Sequence, residues 1–157
     1  MKKKSIAGFF LSILIAELTG MLSGLLAGNI GAVYKTLEQP PLSPPGWLFP
    51  VVWIILYALM GIAAALVFYA DAGQKEKQSA LILYAAQLFV NFLWSIIFFR
   101  AEWFWAAAVV ILLLDLLVFL TILRFRSISR PAAWLMVPYL LWILFATYLN
   151  IGVALLN

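Results

Sequence analysis

Two carboxamide residues, Gln87 and Asn91, lie in a series with three aromatic residues in which each member follows the last by three or four positions. The aromatic residues are Tyr84, Trp94 and Phe98. At 3.6 residues per turn, all five share one face of a helix. Carboxamides in apolar surroundings are costly unless they face inward and find hydrogen-bond partners. This face therefore predicts either donors for a bound ligand or hydrogen bonds that hold neighbouring helices together, and the spacing does not separate the two.

Two further apolar stretches also carry aromatic residues on a single helical face. Trp53 and Tyr57 are four positions apart in the first of them. The second presents four residues at helical spacing: Pro138, Trp142, Phe145 and Leu149. One aromatic stripe is usually packed core, but three of them beside a proline-rich segment predict a flat, aromatic-lined pocket.

Glu17 and Asp115 are the acidic residues that lie deep in apolar stretches. An ionisable group in such a position points to an ion or proton pathway, so the pair could couple protons to transport. The alternative is a hydrogen bond to Ser, Thr or Asn on a neighbouring helix. We favour this alternative for Asp115, whereas the sequence offers no account of Glu17.

The sequence has no cysteine and no histidine. This excludes disulfides, thiol nucleophiles and a histidine base, and we expect no metal site and no cofactor. Any haem iron would have to take Met or Tyr as its axial ligand.

The composition requires a lipid environment for these residues. Of the 157 residues, 67% are hydrophobic and 10% are charged, whereas a soluble domain is about half apolar and about a quarter charged. The net charge of +4 comes from short basic clusters between apolar runs. That pattern is typical of membrane topology and excludes a nucleic-acid-binding surface.

Five apolar runs are long enough to cross a bilayer, which takes about 20 residues of helix. We therefore predict an all-α integral membrane protein, a bundle of five transmembrane helices in a single domain over residues 1–157. The predicted spans are residues 6–27, 47–69, 79–99, 103–123 and 131–156.

Residues 28–46, which we call the lid segment, connect the first two spans and contain four prolines. Proline fixes φ and removes a donor, so we predict an ordered and largely non-helical cover over one end of the bundle. Eight of the ten Lys and Arg residues lie at the N-terminus and in the even-numbered loops. The positive-inside rule then predicts a multi-pass cell-membrane protein with a cytoplasmic N-terminus and an external C-terminus.

Small residues recur at every fourth position of the first span. They are Gly8, Ser12, Ala16, Gly20, Gly24 and Gly28. Such a stripe lets another backbone approach closely, either in a dimer or within the bundle, and we favour packing within the bundle.

Four segments in order along the chain resemble the TspO family of translocator proteins and tryptophan-rich sensory proteins. Residues 34–47, YKTLEQPPLSPPGW, are similar to its loop pattern Y-x-x-L-x-x-P-x-x-x-P-P-x-W, and residues 53–61 continue as W-x-x-L-Y-x-x-M-G. Residues 87–99 are similar to Q-x-x-x-N-x-x-W-x-x-x-F-F. Residues 138–150, PYLLWILFATYLN, are similar to P-Y-x-x-W-x-x-F-A-T-x-L-N, the most specific of the four.

The resemblance implies a membrane receptor or carrier for porphyrins and related tetrapyrroles, often a homodimer, that also binds isoquinoline carboxamide drugs. It implies that Tyr34 and Pro44 contact the ligand from the lid segment. The implied cavity residues are Trp53, Tyr57, Gln87, Asn91, Trp94, Trp142, Ala146 and Leu149. It also implies an alternative, an enzyme that breaks down porphyrin in light with Trp53 and Trp142 as its catalytic residues.

The third alternative is a proton-coupled exporter of hydrophobic cations that uses Glu17 and Asp115.

The chain also departs from the family pattern. Val33 and Leu42 stand where tryptophan is usual, so stacking at the lid segment is weaker or shifted. No basic residue follows Tyr148, so sterol binding of the animal type is not expected.

Overall fold

The computed structural model describes residues 3–157, and within this range every regular element is helical. Lys2, part of the predicted basic N-terminus, lies outside the described residues. The helices are α1 (Ile6–Ala27), α2 (Ile30–Thr36), α3 (Leu48–Phe68), α4 (Gln74–Ser95), α5 (Phe104–Ile128) and α6 (Arg130–Leu156). A π-helical turn, Ile96–Arg100, continues α4.

Five of these helices, all except α2, are long and apolar enough to cross a membrane. This confirms the predicted fold class, a five-helix membrane bundle. The spans carried by α4 and α5 are longer than predicted, because α4 begins at Gln74 and α5 ends at Ile128. Hydropathy marks the part of a helix that lies in lipid, whereas the helix itself continues through charged residues beyond it.

The five long helices form a closed ring. Around it, α1 packs against α3, α3 against α6, α6 against α5, α5 against α4, and α4 against α1. Contacts between α3 and α4 cross the middle of the ring. One end of the ring holds the start of α3 and the end of α6, and the lid segment lies there; we call it the lid end. The opposite end holds most of the basic residues; we call it the basic end.

Small residues bring α1 and α3 into backbone contact. A Cβ on Gly61 would lie 2.5 Å from the Cα of Ile13, which leaves no room for a side chain. The hydroxyl of Ser12 donates to the carbonyl of Gly61 at 2.7 Å. At Gly20 the space of the missing side chain is filled by the ring of Tyr57. The small-residue stripe therefore packs within the bundle along most of its length, as we favoured.

The stripe ends differently on the lid side of α1. Ser23 still donates to the carbonyl of Phe92, at 2.9 Å, but no atom lies within 4 Å of where a Cβ of Gly24 would be. Large exposed apolar residues such as Phe10 and Leu25 cover the outer face of the same helix. A face of this kind suits lipid chains as its surroundings.

The lid segment is more helical than predicted. Its first third forms α2, which the side chain of Asn29 caps by accepting from the backbone N–H of Ala32 at 3.1 Å. The remainder is extended through the prolines and turns at Leu42, which has a left-handed φ of 69° and is 84% exposed. The prolines act only after residue 39, so the first residues of the segment are free to form a helix.

Candidate ligand-binding site

Asn91 is the centre of a buried polar network that joins three helices. Its side-chain nitrogen donates to the hydroxyls of Tyr57 on α3 and Tyr139 on α6, each at 3.1 Å. The hydroxyl of Tyr139 in turn donates to the side-chain oxygen of Gln87 at 2.8 Å. Gln87 and Asn91 are 0% and 1% exposed. The two carboxamides therefore hold α3, α4 and α6 together, which is the structural alternative for their shared face.

Trp94 belongs to a second polar group, nearer the lid end. Its indole nitrogen donates to the side-chain oxygen of Asn150 at 2.9 Å, and Asn150 donates to the carbonyl of Phe104 at 2.8 Å. The ring of Trp94 lies 5.5 Å from that of Phe98, centroid to centroid. Trp94 thus links α4, α6 and the start of α5, and its N–H is already satisfied.

A row of aromatic rings leads from the lid segment into the bundle. The ring of Tyr34 lies 5.0 Å from that of Phe49, and Phe49 lies 5.8 Å from Trp142, each in an edge-to-face arrangement. These three residues come from α2, α3 and α6. The structure therefore brings the predicted lid residue Tyr34 and the predicted wall residue Trp142 into contact with the same residue, Phe49.

Trp53 connects this region to the polar network. Its ring lies 5.6 Å from Tyr57 and 6.1 Å from Tyr139. We call the rings of Phe49, Trp53 and Trp142 the aromatic wall. Both tyrosines are fixed by the amide of Asn91, so the polar network sets the position of Trp53 in this wall. Ala146 and Leu149, one and two turns beyond Trp142 on α6, are also buried.

The indole nitrogen of Trp142 is buried and has no hydrogen-bond partner among residues 3–157. An unsatisfied buried donor costs about 1–3 kcal/mol, so proteins rarely retain one without a use. Unlike the N–H of Trp94, this one is available to an acceptor on a ligand. Its ring lies beside that of Phe49, which is in the first turn of α3 at the lid end.

Hydrogen bonds fold the lid segment onto itself and onto α6. The hydroxyl of Tyr34 donates to the carbonyl of Pro44, and Gln39 donates to the carbonyl of Tyr34 at 2.7 Å. From α6, the hydroxyl of Tyr148 donates to the carbonyl of Pro41 at 2.7 Å. Burial raises the pKa of Tyr34 above its ordinary value, so the phenol remains a donor throughout the physiological range.

The end of α6 supplies the other anchors of the lid segment. The side chain of Asn157 accepts from the N–H of Glu38 at 3.0 Å and donates to its carbonyl at 2.8 Å. The buried Pro40 lies over Gly152, where a Cβ would approach the proline ring to 2.5 Å. The cover is therefore held in place at several points, but by few atoms at each.

The two acidic residues within the spans, Asp115 and Glu17, have different surroundings: a hydrogen bond holds the first, and none from the described part of the chain holds the second. The hydroxyl of Thr147 on α6 donates to one carboxyl oxygen of Asp115 at 2.7 Å, as favoured from the sequence, and the other oxygen is buried without a partner. Glu17 lies on α1, one turn before Gly20 and therefore beside the ring of Tyr57. Within residues 3–157 no hydrogen bond or ion pair joins Glu17 to another side chain.

The site contains three residues that were not predicted from the sequence: Tyr139, Phe49 and Asn157. Tyr139 had a signal, because it precedes Trp142 by three residues and shares its helical face. Phe49 likewise precedes Trp53 by four residues. Asn157 had no signal, since its partner Glu38 is 119 positions away.

Comparison with known proteins identifies the family of the chain. The family model described as the TspO/MBR family matches residues 12–156. The tryptophan-rich protein TspO of Chlorobaculum tepidum is 44% identical over 124 residues, which cover 79% of this chain and 78% of the relative. Protein CrtK of Rhodobacter capsulatus is 36% identical over 151 residues, covering 96% and 91%. The translocator protein of Homo sapiens is 38% identical over 118 residues, covering 74% and 70%. The chain is a multi-pass membrane protein and belongs to the TspO/MBR family.

Proposed function

We propose that this protein is a membrane receptor or carrier that binds a porphyrin or related tetrapyrrole beneath the lid segment. The observation that carries the proposal is the buried, unpartnered indole N–H of Trp142 within the aromatic wall. A similar protein from Cereibacter sphaeroides is named a tryptophan-rich sensory protein, which supports a sensing role.

The chemistry of the wall suits a broad, flat ligand. Trp53, Phe49 and Trp142 offer ring faces and edges, and each aromatic pair contributes about 0.5–1.5 kcal/mol beyond the area that it buries. The N–H of Trp142 would donate to a carboxylate or carbonyl oxygen of the ligand. Lys35, exposed on α2, would attract a propionate at the mouth.

The polar network serves as the floor of this site and not as a ligand donor. Both hydrogens of the Asn91 amide are used by Tyr57 and Tyr139. The family resemblance implies that Gln87 and Asn91 contact the ligand directly. We propose instead that they hold Tyr57 and Tyr139 in position. Since the chain has no His or Cys, the site should prefer metal-free porphyrin to haem.

Entry of the ligand requires the lid segment to move. The ring of Phe49 contacts both Tyr34 and Trp142, so a guest must separate these rings. An isoquinoline carboxamide would use the same space, with its carbonyl accepting from Trp142. It should therefore compete with porphyrin.

The decisive experiment is a titration of the purified protein with protoporphyrin, followed by the shift of its main absorption band. Trp142→Phe keeps an aromatic ring but removes the N–H, so we expect affinity to fall about tenfold, the equivalent of one hydrogen bond. The matched control is Trp105→Phe, an exposed tryptophan at the start of α5. Equal affinity of Trp142→Phe and wild type would contradict the proposal.

A light-dependent porphyrin-degrading enzyme is the second candidate. Its support is the contact of Trp53 with Tyr57 and Tyr139, two residues able to pass an electron to an oxidised indole. Illumination of the same samples in air separates the two functions. Loss of porphyrin absorbance faster than in free solution, abolished by Trp53→Phe, would favour the enzyme, whereas an unchanged spectrum favours the receptor.

We also propose that the basic end faces the cytoplasm and that the protein is a homodimer. The basic residues at that end support the orientation. Because the chain has no cysteine, single cysteines at Ala72 and Ala101, in loops at opposite ends, would report the orientation by their accessibility to an impermeant reagent. Cross-linking in membranes would test the dimer.

A further inference from the structure

A cavity of about 380 Å³ opens between α5 and α6 at the basic end. It lies where α5 ends and α6 begins, at the end of the bundle opposite the lid segment. The residues that line it are Ile122, Arg126, Arg130, Ala133, Trp134 and Val137. We call it the arginine groove.

Two guanidinium groups at the mouth of the arginine groove have no counter-charge. Arg126 is in the last turn of α5 and Arg130 is the first residue of α6, and both are exposed. Within residues 3–157, neither side chain forms an ion pair or a hydrogen bond. Two like charges at one cavity repel each other unless an anion lies between them.

Below the arginines the arginine groove is apolar. Ile122 lies one turn deeper than Arg126 on α5, and Val137 lies two turns deeper than Arg130 on α6, about 10 Å at 1.5 Å per residue. Trp134, 71% exposed, is on the first turns of α6, the depth at which tryptophans meet lipid headgroups. The groove is thus cationic at the membrane edge and apolar toward the membrane centre.

We propose that the arginine groove binds one anionic phospholipid of the surrounding bilayer. Its phosphate lies between Arg126 and Arg130, and an acyl chain follows Ile122 and Val137 between the two helices. Guanidinium groups bind phosphate oxygens with two parallel hydrogen bonds, so two arginines at one mouth can hold a phosphate between them. Basic pockets between transmembrane helices have the chemistry for such lipids. This site is independent of the function proposed above.

Native mass spectrometry of the full-length protein in detergent tests the proposal. We expect phosphatidylglycerol to be retained as a single adduct with at least tenfold preference over phosphatidylcholine. The double variant Arg126→Gln, Arg130→Gln should lose that preference. The matched control is Arg124→Gln, an exposed arginine in the same part of α5 that does not line the groove.

Three outcomes would contradict the proposed lipid site. Equal retention of both lipids by the wild type, or an unchanged preference in the double variant, would overturn the site. If glycerophosphoglycerol, which has the headgroup but no acyl chain, binds as tightly as the lipid, the groove is a soluble-anion site and the lipid assignment is wrong. Because both arginines are exposed and unpaired, the double variant should unfold at the wild-type temperature, which confirms that any loss of binding is local.

Discussion

Tyr139 shows how much a single buried hydroxyl does in this bundle. It accepts from Asn91 and donates to Gln87, so one oxygen serves both buried carboxamides of α4. Tyr84, buried on the same face of α4, has a hydroxyl with no partner within residues 3–157. The two tyrosines therefore offer the same chemical group in opposite circumstances.

Removal of these two hydroxyls should have different effects on the free energy of unfolding. Tyr139→Phe leaves the oxygen of Gln87 and one N–H of Asn91 unpaired, and we expect a loss of about 1–3 kcal/mol in the free energy of unfolding. Tyr84→Phe removes a group that is already unsatisfied, so its stability should be unchanged or higher. Denaturation of both variants in matched detergent measures the difference; equal effects would argue against the network.

The residue types of the polar network could be predicted from the sequence, but their partners could not. Periodicity placed Gln87 and Asn91 on one face because helical spacing is local. Their partners Tyr57 and Tyr139 lie 34 and 48 positions from Asn91, so only the packing of α3 and α6 reveals them. The same limit applies to Trp142, since its unpaired N–H exists only after its neighbours are in place.

At the scale of elements, the contact between α1 and α3 is set by glycine. The carbonyl of Gly61 accepts a hydrogen bond from the hydroxyl of Ser12. Because Gly61 has no side chain, the backbone of Ile13 on α1 can approach α3 closely. In lipid, close packing of this kind replaces the hydrophobic effect as the force between helices. The aromatic wall depends on it, because Tyr57 and Trp53 are carried by α3.

Alanine at two glycines should distinguish this interface from the part of the small-residue stripe that contacts no other helix. Gly61→Ala places a methyl group 2.5 Å from the backbone of Ile13, so the helices must separate, at a cost of about 1–3 kcal/mol. Gly24→Ala meets no atom within 4 Å and should be neutral or slightly stabilising. Thermal unfolding in detergent compares them, and a neutral Gly61→Ala would contradict the contact.

The five spans were predictable because a bilayer demands about 20 apolar residues, a signal that needs no tertiary contact. Two features needed the structure. The first turn of α4 contains Lys75 and Glu76 and therefore reads as a loop, yet Lys77 donates to the carbonyls of Phe68 and Ala70 and joins this turn to the end of α3. Helix α2 has seven residues, too few for a periodic pattern.

At the scale of the whole molecule, the lid segment is attached chiefly to α6, the helix that also carries Trp142. Its anchors at Asn157, Gly152 and Tyr148 lie along the last turns of that helix. If a ligand binds as we propose and displaces Trp142, it acts on the helix that holds the lid segment in place, so we expect occupancy of the site to change the position of the lid segment.

Asn157→Ala should loosen the cover without disturbing the bundle. It removes both hydrogen bonds to Glu38, and we expect the amide of Glu38 to exchange with deuterium about five- to tenfold faster, as the loss of roughly 1 kcal/mol predicts. Asn157→Asp keeps the acceptor for that amide and should show a smaller change. The hydrogen-bonded amides of Ala70 and Lys77, at the basic end, provide the internal reference, and equal acceleration there would indicate general destabilisation.

The order of helices in the ring also has a consequence for synthesis of the chain. The first two spans, α1 and α3, are neighbours and can associate as soon as both have emerged, whereas α3 finds its other neighbour only in α6, the last span to be translated. Until then, the side-chain oxygen of Gln87 and one N–H of Asn91 lack their partner Tyr139, and Asn91 keeps only its bond to Tyr57 on α3. The interval between insertion of the third and fifth spans is therefore the stage at which membrane chaperones or quality-control proteases have polar groups to recognise.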